Sequence, residues 1–327
     1  MTLTRTPGGR SVVDARLSIA ARRVGLSLAL SLAACSDAGT RPDVEGETLR
    51  LGRVHVVLEP IDDLVANGEP TEGGDAQLEV SARFAFVRGL DEEFARARVG
   101  VTMLPHDALR PGECVPTDSL SLVAPEPEDS AEPRELVLVD AGDLSVRVGE
   151  SDFEVPLSLV PDLLPYMSGV EYLHEGESLA LAPASTPAVV VSAKGSMTDD
   201  LPPFATEGAT PPSLGLFAGD AEVAQQRDGA LVFRWGAPQR AEPITVRLLP
   251  LSSGEPVGDE ITCVLADEGA ARVDLRRLAM LGLPPQAEAL RITASRPSVA
   301  SFDVGEFTGT EFVVERRDRL VLPLLSR

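Results

Sequence analysis

The stretch LEVSARFAF, residues 78–86, alternates strictly: Leu78, Val80, Ala82, Phe84 and Phe86 on one side, Glu79, Ser81, Arg83 and Ala85 on the other. A period of two puts one set on a buried face and the other toward solvent, the pattern of a half-buried antiparallel strand. Just upstream, RVHVVLE (53–59) repeats it, with Val54, Val56 and Leu58 against Arg53, His55, Val57 and Glu59. The intervening DDLVANGEPTEGGD (62–75) is rich in turn residues and reads as a loop or wide hairpin. These two strands fix the expected class as mainly β.

Further along, LDEEFARAR (90–98) is the clearest short helix. RELVLVDAGDLSVRVGES (134–151) reads as strand, Asp-Ala-Gly-Asp turn, strand, and so predicts a hairpin. More strands are expected at 153–159, 178–182 and 188–193. Residues 199–212, DDLPPFATEGATPP, are dense in proline and glycine and are expected to be a linker. The expected architecture is therefore two antiparallel β-sandwich-like domains, 48–198 and 213–327.

In the last third, GALVFRWGAP sets Leu231, Phe233 and Trp235 at period two. ITVRLLPL, the turn SSGEPVGDE, ITCVLAD, ARVDLRRLAMLGL and ALRITASRP follow. This succession resembles the fibronectin type III and immunoglobulin-like sandwich over about 210–327. The resemblance makes Trp235 the core tryptophan of the second strand. It makes Leu278 or Leu281 the leucine of the corner before the sixth strand, where this chain lacks the family's tyrosine. A short helix over 275–282 is the alternative reading of that corner.

Near the start, Arg22-Arg23 precede an apolar run, Val24 to Ala34, that ends at Cys35. Two basic residues, a run too short to span a bilayer, and small residues at its end are the order of a secretory signal. Leu32-Ala33-Ala34-Cys35 resembles the bacterial lipobox. The resemblance implies that residues 1–34 are removed, that Cys35 carries the acyl chains, and that Ser36 in second place directs the protein to the outer membrane. Residues 35–47, polar with Gly and Pro, read as a flexible tether. Two or three acyl chains make a stable anchor. A plain signal peptide would instead leave Cys35 as an odd thiol in an oxidising compartment. The whole chain also resembles lipoproteins of high-GC Gram-negative bacteria of the myxobacterial kind, which carry a lipobox, a DAGD-type turn (Asp140–Asp143) and a later strand with a single tryptophan. That resemblance implies no activity.

The formal charge is −22. Residues 1–34 hold five arginines and one aspartate, which leaves 24 basic and 50 acidic residues in 35–327, a charge of −26. Such a surface repels nucleic acid and anionic lipid headgroups, and the acidity is dispersed as on an ordinary solvated face. One Trp and two Tyr supply few stacking platforms.

Cys114 and Cys263 remain after Cys35. Both a disulfide and two separately buried thiols fit an even pair in a secreted chain. His55, His106 and His174 lie about fifty or more residues apart, without the close ligand spacing of a zinc site. No nucleophile elbow, Cys-x-x-Cys pair, His-Glu-x-x-His helix or phosphate loop is present. DAGD at 140–143 and NGEPTEGGD at 67–75 offer carboxylates in Gly-containing loops, as calcium prefers. Turn chemistry explains the same residues more simply. No metal or cofactor is expected, and no catalytic residue is nominated. The expectation is a lipid-anchored envelope protein with a binding, adhesion or scaffolding role, its partners the membrane and other envelope proteins. The alternatives are an accessory subunit of an envelope complex and a hydrolase or metal-dependent enzyme built from distant loops.

Overall fold

The period-two stretches become long central strands. The computed structural model describes residues 48–61, 64–65, 74–100, 105–120, 134–160, 167–182, 185–198, 201–236 and 243–325. The first part of the chain forms β1 (Leu49–Pro60), β2 (Leu64–Val65), β3 (Gly74–Arg88), α1 (Glu92–Val99), α2 (Pro105–Ala108) and β4 (Cys114–Pro116). The middle forms β5 (Glu135–Leu138), β6 (Leu144–Val148), β7 (Ser151–Val155), β8 (Leu157–Leu159), β9 (Met167–Leu181), β10 (Ala188–Ala193) and β11 (Phe204–Ala209). The last part forms α3 (Asp220–Ala224), β12 (Ala230–Arg234), β13 (Ile244–Ser252), β14 (Glu255–Pro256), β15 (Ile261–Leu265), β16 (Ala270–Asp274), α4 (Leu275–Met280), β17 (Ala289–Val304) and β18 (Phe307–Pro323).

One large sheet carries the order β4-β15-β13-β17-β18-β1-β3-β5-β9-β8, with β14 beside β13 and β2 beside β18. Its spine is the long hairpin β17–β18, against which β1 lies parallel. Side chains alternate across each strand, and on β18 the even positions face two apolar cores in turn. Phe312 and Val314 join Val54, Val56, Leu58, Leu78, Val80 and Phe84 in the first core, which the four-stranded sheet β11-β10-β6-β7 covers. Leu320 and Leu322 join Leu290, Ile292, Val246 and Leu248 in the second, which the two-stranded sheet β12–β16 covers with Leu231, Phe233 and Trp235. A third, smaller cluster lies on the opposite face, where Ala95 and Val99 of α1 pack on Leu51, Ala85 and Val87. That cover explains why Ala85, read from the sequence as facing out, is buried.

The sandwich expectation therefore holds, but the two halves share one continuous sheet. Gly46–Arg327 packs as a single compact unit, and the boundary expected at 199–212 falls inside it. Phe204–Ala209 is strand β11, paired along its length with β10. Gly208 lets this strand pack closely over β18, because a Cβ there would stand 2.8 Å from the Phe312 ring. The prolines flank the strand rather than interrupt it.

The hairpin expected at 134–151 is also corrected. β5 pairs with β3 and β9 in the large sheet, whereas β6 pairs with β7 and β10 in the covering sheet. DAGD carries the chain from one sheet to the other. Gly142 has φ 77°, and a Cβ on it would meet Gly195 O at 2.4 Å, so only glycine fits this corner. The strand expected at 153–159 breaks at Pro156, and its halves β7 and β8 belong to different sheets. At the corner after β16, LRRLAM is α4, the short-helix alternative, and Leu278 is fully buried there.

Candidate functional site

The face of the large sheet opposite the two cores carries a band of paired charges. Odd positions of β1, β3 and β18 point there, and parallel pairing sets His55 beside Val313 and Leu58 beside Arg316. Residues some 260 positions apart in the sequence are thus neighbours. His55 Nε2 lies 3.1 Å from Glu315 Oε2. Arg317 Nε donates to Glu315 Oε1 at 3.0 Å, and its Nη1 to Glu59 Oε2 at 2.7 Å. Arg319 Nε donates to Glu59 Oε1 at 2.9 Å, and Glu79 stands 3.8 Å from Arg317. One strand further, Arg83 Nε donates to Glu171 Oε2 at 2.7 Å.

Burial works against charge on Glu315, but the hydrogen bond from His55 and the charge of Arg317 outweigh it and hold the carboxyl far below its ordinary range. Glu59 is held low in the same way, by Arg317 and Arg319 against the cost of burial. Arg317 is shifted upward by its two carboxylates despite being mostly buried. The band is a charge-compensated surface: the arginines occupy the carboxylate oxygens, and His55 shares one of them.

The other residues singled out in the sequence fall elsewhere. Cys35 and all of 1–47 lie outside the described residues, as do Asp199-Asp200 and most of 67–75. Cys114 and Cys263 form a disulfide between opposed positions of edge strand β4 and its neighbour β15. His174 belongs to the opposite face from His55, against the Phe153 ring, with Glu177 3.6 Å away. The side chain of His106 is outside the described residues. Among the described residues, no group of three or more His, Cys, Asp or Glu is arranged to hold a metal ion.

The DAGD carboxylates are engaged within the protein. Asp140 Oδ1 accepts from Gly142 N at 2.7 Å, closing the turn. Asp143 pairs at 2.8 Å with Lys194, the one lysine of the chain. Tyr172, 1 % exposed, anchors the corner from β9. Its hydroxyl accepts from Ala141 N at 2.8 Å and stands 2.5 Å from Asp140 Oδ1 and 2.9 Å from Gly142 O, either of which its proton can serve. Burial, then the hydrogen bond to Asp140, push the phenol well above its ordinary range, so it stays protonated as a donor.

Sequence reasoning missed the polar seam between the two cores. At Arg296, Arg316 and Asp318 the inward-facing positions of β17 and β18 turn charged. Arg316 donates to Ser185 O at 2.8 Å, and Asp318 accepts from Ser213 Oγ at 2.6 Å and Leu214 N at 2.7 Å. Burial raises the Asp318 carboxyl against these hydrogen bonds. Arg296 pairs with Asp267, which also accepts from Trp235 Nε1 at 2.6 Å. The alternation of even positions was the available signal, since charges at 316 and 318 sit in phase with Val314 and Leu320.

Among the described residues, no helix is long and apolar enough to cross a membrane. Compared with known proteins, the chain matches no family model and no curated sequence.

Proposed function

We propose that the protein is a lipid-anchored component of the bacterial cell envelope, held at the outer membrane through Cys35. Its β-sandwich body then serves binding, adhesion or scaffolding rather than catalysis. The observation that carries this reading is Leu32-Ala33-Ala34-Cys35, placed directly after Arg22-Arg23 and a short apolar run and directly before a polar tether. The disulfide between Cys114 and Cys263 supports it, because such bonds persist in oxidising compartments outside the cytosol. The order β15-β13-β17-β18 facing β12–β16 supports the fibronectin-like reading of the C-terminal half. Sandwiches of that kind commonly present loops and strand edges to partners; this step is analogy from fold to role.

Detergent phase partitioning with acyl labelling tests the anchor. The wild-type chain is expected to label and enter the detergent phase. Cys35→Ala is expected to lose the label and to be released or left uncleaved. A variant that labels and partitions like the wild type overturns the reading. Co-purification of a fixed set of envelope proteins after mild extraction separates an accessory subunit from a solitary binder.

A further inference from the structure

A cleft of about 740 Å³ opens on the C-terminal half, lined by Arg227, Asp228, Ala230, Arg272, Asp274 and Arg276 among others. Its origin is topological. β12 turns Leu231 and Phe233 into the core, and its outer face, Ala230 and Val232, is covered by α3 and the following 3₁₀ turn Gln225–Asp228. That cover is only one strand wide. The outer positions of β16 stay exposed, and two of them, Arg272 and Asp274, form the floor, while Leu275 and Arg276 close one end. Leu275 N bonds to Gly229 O at 2.9 Å and Arg272 Nη1 to Gln225 Oε1 at 2.7 Å, so both walls are tied together.

The charge of this cleft runs against the rest of the chain. From residue 35 onward acids outnumber bases by 50 to 24. Here three arginines face two aspartates. Asp274 is already committed, since its Oδ1 accepts from Arg276 N at 2.8 Å. Among the described residues, the guanidinium groups of Arg227 and Arg276 form no ion pair or hydrogen bond, although carboxylates abound on this surface. Guanidinium groups present paired donors that match the oxygens of phosphate.

We propose that this cleft binds a phosphate-bearing ligand through Arg227, Arg272 and Arg276. A single phosphate group on a small molecule or lipid headgroup is the class that fits. An extended polyanion or anionic membrane would also meet the acidic surface around the cleft, on a chain whose residues 35–327 carry −26. The proposal does not depend on the anchor at Cys35, so either can fail alone.

The test is calorimetric titration of the detergent-solubilised full chain at low ionic strength with glycerol 3-phosphate and, separately, with water-soluble dihexanoyl phosphatidic acid. Saturable binding of either probe is expected, weakened at least tenfold in Arg272→Gln/Arg276→Gln and weakened by added salt. Binding of both probes alike marks the phosphate alone as the determinant, and binding of the acylated probe only marks a headgroup. An unchanged thermal midpoint in the double variant shows that the loss is local. No binding of either probe, or binding that the double variant leaves intact, overturns the proposal.

Discussion

Arg296 and Asp267 form an ion pair almost wholly out of water, with side chains 2 % and 0 % exposed, at the junction of the second core and the polar seam. Trp235 donates to the same carboxylate, so one aspartate orients both the core tryptophan and the buried arginine. Breaking such a buried pair by removing one partner costs about 3–5 kcal/mol. Asp267→Ala is expected to lose stability in that range in denaturant unfolding. A loss below about 1 kcal/mol would show that water reaches Arg296.

Glu315 predicts a pH dependence. Its folded-state carboxyl lies below its ordinary value, so its contribution is complete above the unfolded pKa of about 4.3 and is lost as the pH falls through the folded value. Thermal midpoints of the wild type are expected to drop steadily from pH 5 to pH 3. Glu315→Gln is expected to be less stable at pH 6 and to show a shallower drop. Parallel curves for the two would contradict the role given to His55 and Arg317.

The Tyr172 hydroxyl serves the buried corner at 140–142. Tyr172→Phe leaves Ala141 N–H and part of the turn without a partner, and an unmet buried polar group costs about 1–3 kcal/mol. Equilibrium unfolding is expected to show a loss of that size, with the same β signal in far-UV circular dichroism. An unchanged midpoint would mean that the corner stands without the tyrosine.

The Cys114–Cys263 bond closes a separation of 149 residues. The chain-entropy model assigns about 5 kcal/mol to a loop of that length. Reduction, or Cys114→Ser with Cys263→Ser, is expected to lower stability by up to this amount in the same assay. Two free thiols in the native protein under non-reducing conditions would refute the pairing.

Much of the fold could be read where only one face of a strand is buried. Leu78, Val80, Ala82 and Phe84 are all buried as their alternation demands, and Trp235 lies in the core with Leu231 and Phe233, the residues it follows at period two. The failures have physical causes. Glu315-Arg316-Arg317-Asp318-Arg319 hides the spine strand β18, because charge falls on both of its faces: outward in the Glu59 network, inward in the seam. The strand β17 runs on through Pro297 because from there it has β18 alone as neighbour, and a missing N–H is tolerated at such an edge. DAGD looks like a hairpin turn locally, and only the remote Tyr172 and Gly195 make it a crossing between sheets. The pairing of His55 with Glu315 depends on parallel contact between the first and last strands, which no local pattern encodes. The arginine cleft likewise exists only because a 3₁₀ turn covers β12 and stops short of β16.

The attachment at Cys35 is tested most directly by intact-mass and N-terminal peptide spectrometry on the protein extracted from its native membrane. The expected result is a polypeptide that begins at Cys35, with its thiol and amino group carrying fatty-acyl mass. A polypeptide that retains residues 1–34, or that begins at an unmodified residue, would contradict it.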